Sequence, residues 1–161
     1  MNKNHISRLF QIMLFATLAL PTTSCVPAVA QISAFQFCFS SHKDVNYLKA
    51  LLQTIALKEH MRYSDDSGET YDNLVGMDID KMTRMRREKF IKVHIRAEDG
   101  LGASAINIGT EDQAIVLVSA GREIDVAHAF ADRIEATLKK HWNIHTTEGH
   151  KPNYPLDCAA Q

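Results

Sequence analysis

Cysteine is scarce in this chain, with three residues in 161. That excludes a disulfide-dense scaffold and a structural zinc site built on four thiolates. Four prolines and seven glycines exclude collagen-like and low-complexity classes. Neither sign of charge dominates, since 18 Lys and Arg face 19 Asp and Glu. The concentrated positive charge that nucleic acid rewards is therefore missing, and a nucleic-acid partner is not expected. Phosphate loops and dinucleotide fingerprints are absent too, because Gly100-Leu101-Gly102 alone is too short to be one. No internal repeat is visible. The main apolar run, Leu9 to Leu20, is interrupted by Gln11 and Thr17 and ends at Pro21. It falls short of the roughly 20 residues a membrane-spanning helix needs.

What is present at the N-terminus reads as an export leader. Lys3 and Arg8 precede the apolar run, and small residues follow it. Ala28-Val29-Ala30 fits a small-x-small cleavage site, which makes residues 1–30 a signal peptide and Gln31 the first mature residue. The competing reading takes Thr22-Thr23-Ser24-Cys25 as an imperfect lipobox, with a lipid anchor at Cys25. The first points to a periplasmic or secreted protein and the second to a membrane-anchored lipoprotein, and both leave Cys38 and Cys158 as a pair. In an oxidising compartment that pair is expected to close as a disulfide. Removing Lys3 and Arg8 leaves 16 basic against 19 acidic residues, a mature net charge of −3.

Residues 31–161 suit a single domain. Phe35, Phe37 and Phe39 alternate, so a strand places three rings on one face and Cys38 on the other. Ser41 and Asp44 mark a helix start, and Val45, Leu48, Leu51, Leu52, Ile55 and Ala56 form one apolar stripe reaching to about Met61. Glu59 falls on that stripe and reads as a rim residue paired with Arg62, the alternative being a buried carboxylate. Ser64 to Asp80 reads as an acidic solvated loop. Its glycine spacing refuses a calcium loop, with Asp78 and Asp80 as outside chances. The basic block Lys81, Arg84, Arg86, Arg87 and Lys89 is placed to neutralise it.

Ile91, Val93 and Ile95 alternate with Lys92, His94 and Arg96, and Glu98-Asp99-Gly100 supplies a hairpin turn. Ala103–Ile108 and Ala114–Val118 complete a three-stranded meander, with Gly109 to Gln113 as the second turn. Ile124, Ala127, Phe130, Ala131, Ile134, Leu138 and Trp142 mark a second helix, and Asn143 to Thr147 a short last strand. The tail from Gly149 ends at Cys158. The expected fold class is α+β: a two-layer sandwich with two helices on one face of a mainly antiparallel sheet of four or five strands. The nearest common arrangement is a split βαβ, ferredoxin-like one.

No catalytic signature stands out. Ser104 lies in Gly102-Ala103-Ser104-Ala105-Ile106, which lacks the second glycine of a nucleophile elbow and sits in a hairpin. With both cysteines bridged, no thiol is left as a nucleophile. Two histidine groups have ligand-like spacing: Asp125, His128, Asp132 and Glu135 along the second helix, and His141, His145, Glu148 and His150 after it. A single helix closes a metal shell poorly, and acid-rich stripes are usually solvated faces, so no cofactor is expected. A third candidate is a surface. Lys92, His94 and Arg96 face away from the helices, and continued alternation adds Gln36 and Asn107. That makes a polar platform for a protein or a small anionic ligand, with Arg96 able to grip a carboxylate. The expected function is binding by an exported inhibitor, immunity or accessory protein. The competing class is a metal-binding protein or metal-dependent hydrolase built on the histidine groups.

Overall fold

The computed structural model describes residues 30–77, 85–108, 110–148 and 155–160. The leader, Cys25, Asp78, Asp80, Lys81, Arg84 and His150 lie outside them. The elements run β1 (Gln31–Cys38), α1 (His42–Lys58), β2 (Arg62–Asp65), α2 (Ser67–Gly76), β3 (Lys92–Arg96), β4 (Gly102–Ile108), β5 (Thr110–Ser119), α3 (Ile124–Leu138) and β6 (His145–Glu148). One-turn 3₁₀ helices lie at Arg87–Lys89 and Cys158–Ala160. The architecture is α+β, with three helices packed against one antiparallel sheet of six strands in the order β2-β3-β4-β5-β1-β6.

That sheet is larger than the expected four or five strands, and no strand pair in it is parallel. The additions begin at Arg62, just before the stretch from Ser64 expected to be an acidic loop, and run into it. Arg62–Asp65 pairs with β3 as an edge strand, and Ser67–Gly76 is helical. The signal is weak in both, because β2 is four residues long and mostly exposed, and in α2 only Tyr71, Leu74 and Val75 have helical apolar spacing while Ser67 alone is buried. Instead α2 is tied down by polar contacts. The Ser67 hydroxyl accepts the Lys92 amide at 2.9 Å, and Tyr71 donates to the Met85 carbonyl at 2.8 Å.

The core lies between α1, α3 and one face of the sheet. Phe35, Phe37 and Phe39 form its floor, and Phe37 stacks on Trp142 with centroids 4.7 Å apart. Val45, Leu48, Leu52 and Ala56 of α1 and Ala127, Phe130, Ala131, Ile134 and Leu138 of α3 are buried against it. Ile124, counted on the α3 stripe from its spacing, is instead 49% exposed in the first turn. At the start of α1 the Asp44 carboxylate accepts the Ser40 and Ser41 amides at 2.7 and 2.9 Å. Glu59 is a rim residue with a different partner from the one its spacing suggests. Arg133 of α3 grips both its oxygens at 3.0 Å, linking the two helices.

The described part of the basic block, Arg86, Arg87 and Lys89, is neutralised in two directions. Arg87 forks onto Asp72 of α2 at 2.9 and 2.8 Å, while Arg86 and Lys89 reach Glu111 of β5 at 3.0 and 2.8 Å. Hydrogen bonds from Arg86 and then Lys89 hold the Glu111 carboxyl down to about 2 from its usual 4.5. A carboxyl whose pKa is depressed by folding stabilises the fold above its unfolded value, and loses that contribution as pH falls through the folded one. Glu111→Gln is therefore expected to cost about 1 kcal/mol at neutral pH, the figure being modest because water screens the pair. The difference from wild type should shrink from about pH 4.5 and vanish near pH 2, as denaturant unfolding across that range would read.

Candidate functional site

Alternation along the strands sorts every side chain to one of two faces. Val93 and Ile95, Ala103 and Ala105, and Ala114, Val116 and Val118 face the helices, all in the buried core. The opposite, outer face follows from the register. One row runs Ser64, His94, Ser104, Leu117, Ala34, and the row beside it runs Arg62, Arg96, Gly102, Ser119. On the other side a third row runs Lys92, Ile106, Ile115, Gln36, His145.

The outer face is closed at one end. Cys38 and Cys158 are joined in a disulfide with their Cα atoms 5.6 Å apart. Beside that bridge the Leu156 amide donates to Gln113 Oε1 at 2.7 Å, and the Gln113 side chain donates back to the Leu156 carbonyl. The tail thus lies across the ends of β1 and β5. Gln36 and Ile115 point away from the helices yet are only 1% and 2% exposed. Gln36, expected on the open platform, is therefore not part of it.

Asn107 is not part of it either. It has the parity of Ala103 and Ala105 and stands opposite the core residue Ala114, so it lies on the helix side of β4. Its amide is engaged there, accepting the Ile91 amide at 2.6 Å and donating to the Gln113 carbonyl at 3.2 Å.

Lys92, His94 and Arg96 do lie on the outer face as expected, and two partners come to them from β2. Arg62 stands directly opposite Arg96. Both are exposed and line a hollow of about 300 Å³ with Ala97 and Glu98. Neither arginine forms an ion pair or side-chain hydrogen bond among the described residues, and Glu98 pairs with neither. Two like charges directly opposite across a ladder repel. Gly102, on the other flank of Arg96, allows no side chain, since its first carbon would come 2.3 Å from the Ile95 carbonyl oxygen. Arg96 therefore meets no side chain from its register partner on β4.

His94 sits in the neighbouring row. Its Nδ1 lies 2.7 Å from Ser104 Oγ, and its Nε2 lies 3.8 Å from Asp66 Oδ2. The Ser64 hydroxyl donates to the other Asp66 oxygen. Burial pushes the imidazole pKa below its usual 6.5, Asp66 opposes that, and Lys92 and Arg96 add to it.

The histidine groups are not gathered. Asp125, His128 and Asp132 are exposed on α3, and Glu135 is taken by Lys139 at 3.0 Å and by the Thr146 hydroxyl. His141 and His145 would share a helix face only if α3 ran on through His145, and it does not: α3 ends at Leu138 and His145 opens β6. His141 bonds to the Tyr47 hydroxyl at 2.8 Å instead. Among the described residues no group of three His, Cys, Asp or Glu side chains could hold a metal ion.

Arg62, Ser64, Asp66 and Ser104 are the outer-face residues that spacing alone did not bring forward. Ser104 was within reach: counting outward from the Asp99-Gly100 turn pairs Arg96 with Gly102 and His94 with Ser104. Nothing local reveals that β2 lies beside β3, so Arg62 and Asp66 carried no signal.

Among the described residues no helix is long and apolar enough to cross a membrane. The sequence matches no protein-family model, and a search of curated proteins finds no significantly similar relative.

Proposed function

We propose that this chain is a small exported binding protein that engages an acidic partner protein through the open end of its outer sheet face. The observation carrying this reading is the Arg62–Arg96 pair, exposed, directly opposed and without an acidic partner among the described residues. Two arginines set opposite each other across a ladder repel, an anion shared between them relieves that repulsion, and their planar forks suit carboxylates. Lys92 extends the cationic character along β3, while the tail keeps the opposite end of the face out of play. Export rests on the leader and agrees with the disulfide, which persists in oxidising compartments. An inhibitor, immunity or accessory role fits a compact domain that acts through one surface.

The test is titration with a glutamate-rich peptide, followed through backbone amide shifts. Shifts are expected to centre on residues 62, 94, 96, 102 and 104. The paired substitution Arg62→Ala with Arg96→Ala should weaken binding at least about tenfold, or about 1.4 kcal/mol. Affinity should also fall steeply with added salt. Shifts scattered over the surface, or an affinity indifferent to both arginines, would remove this face from the function.

A further inference from the structure

The register that builds the cationic patch also assembles a nucleophile, a base and an acid. Ser104 and Ser64 stand directly opposite His94 on its two neighbouring strands, and Asp66 follows β2 immediately. We propose that Ser104, His94 and Asp66 form a hydrolytic site for small carboxylic esters, with Ser104 as nucleophile, His94 as general base and Asp66 as positioning residue. This goes beyond the binding reading and does not rest on it.

The hydrogen-bonding inventory fixes the roles. A carboxylate only accepts, so Asp66 favours the imidazole tautomer that carries its proton on Nε2. Nδ1 is then left bare, 2.7 Å from Ser104 Oγ, where it accepts the hydroxyl proton. The 3.8 Å between Nε2 and Asp66 is a charge contact rather than a hydrogen bond. Such contacts commonly tighten only when substrate is bound. Ser64 holds the far oxygen of Asp66 and so orients the carboxylate. The low proton affinity of His94 keeps it neutral, and able to act as a base, at neutral pH.

Ser104 Oγ would attack the ester carbonyl carbon while its proton passes to His94 Nδ1. The tetrahedral oxyanion forms within the field of Lys92 and Arg96, both close enough to depress the proton affinity of His94. The C–O bond to the leaving group breaks, and the departing oxygen takes the electron pair and the proton from His94. Water, deprotonated by His94, then attacks the acyl-Ser104 carbonyl. The tetrahedral intermediate collapses, the bond from the acyl carbon to Ser104 Oγ breaks, and Oγ takes the proton back from His94 as the carboxylic acid leaves. Water is the only co-reactant. The side chains of His94 and Asp66 are 37% and 41% exposed, so a small ester reaches the site directly from solvent.

The decisive measurement uses the unmodified full-length protein: reaction with a fluorophosphonate, then mass mapping of its peptides. One adduct on Ser104 is expected, forming at least about tenfold faster than on any other serine. Hydrolysis of p-nitrophenyl acetate should exceed the buffer rate by about a hundredfold, the low end for positioned acid–base catalysis. Ser104→Ala and His94→Gln should each remove at least nine-tenths of it. Asp66→Asn should lower kcat with little change in KM. It should also shift the pH midpoint further below 6.5, because Asp66 is the group that opposes burial, Lys92 and Arg96 at His94. An absent adduct at Ser104, equal adducts on several serines, or hydrolysis that survives Ser104→Ala would each overturn the site. Because the labelling needs no variant, a substitution that fails to fold cannot obscure the answer.

Discussion

Phe37→Ala is expected to destabilise the protein by about 3–5 kcal/mol, because the ring has no route to partial replacement. It is fully buried, stacks on Trp142 at 4.7 Å and meets the edge of Phe39 at 5.7 Å. Trp142 follows the end of α3, so this cluster fixes where α3 docks on β1. Truncation removes the transfer energy of the ring, two aromatic contacts of about 0.5–1.5 kcal/mol each, and the packing of a neighbour that cannot move without displacing α3. Small-side-chain strand neighbours such as Ala114, opposite Phe37, cannot fill the space. A domain of this size loses about 3–5 °C of thermal midpoint per kcal/mol, so a fall of about 10–20 °C should appear in a circular-dichroism melt. Phe37→Leu, which keeps most of the volume, should recover more than half of it. A loss below about 1 kcal/mol would mean that α3 does not depend on this cluster.

The elements that carry that cluster were legible in the sequence because their signals are local, although the Phe37–Trp142 stack itself was not. Alternating phenylalanines in β1, helical spacing in α1 and α3, and Asp99-Gly100 at the hairpin, where Gly100 adopts φ 95°, are read within a few residues of where they act. The disulfide was legible by elimination. What the sequence concealed was long-range pairing between polar segments. β2 is short and wet, and it earns its place by hydrogen bonds to β3, some thirty positions along the chain. Asn107 went to the wrong face for a related reason. Its strand has small alanines where β3 has Val93 and Ile95, so the parity of the core side was weakly marked. The candidate site inherits this pattern: its β3 residues were visible and Ser104 was within reach, while β2, which sets Arg62 opposite Arg96 and leads to Asp66, was not. Binary alternation finds faces, but only register finds neighbours.

The second large effect tests how the outer face is kept in two parts. Replacing Cys38 and Cys158 with alanine reopens a loop whose cysteines are 120 residues apart. Loop-closure entropy puts a bridge of that span at about 5 kcal/mol. The measured loss should be smaller, about 2–4 kcal/mol, because the folded state also relaxes once the bridge is gone. The described tail is held by hydrogen bonds to Gln113, each contributing about 0.5–1.5 kcal/mol net. Ordering each tail residue costs about 1–2 kcal/mol, so over residues 155–160 ordering outweighs those bonds. Without the disulfide, then, the tail should leave the sheet while the rest of the fold remains. Denaturant unfolding of the alanine pair, or of the wild type under reductant, should show the stability loss. Hydrogen exchange should show the Leu156 amide losing protection while Phe35 and Val116 keep theirs. Gln113 then loses its two tail hydrogen bonds and opens to solvent on the outer face. If Leu156 stays protected in the reduced protein, the hydrogen bonds and not the disulfide divide this face.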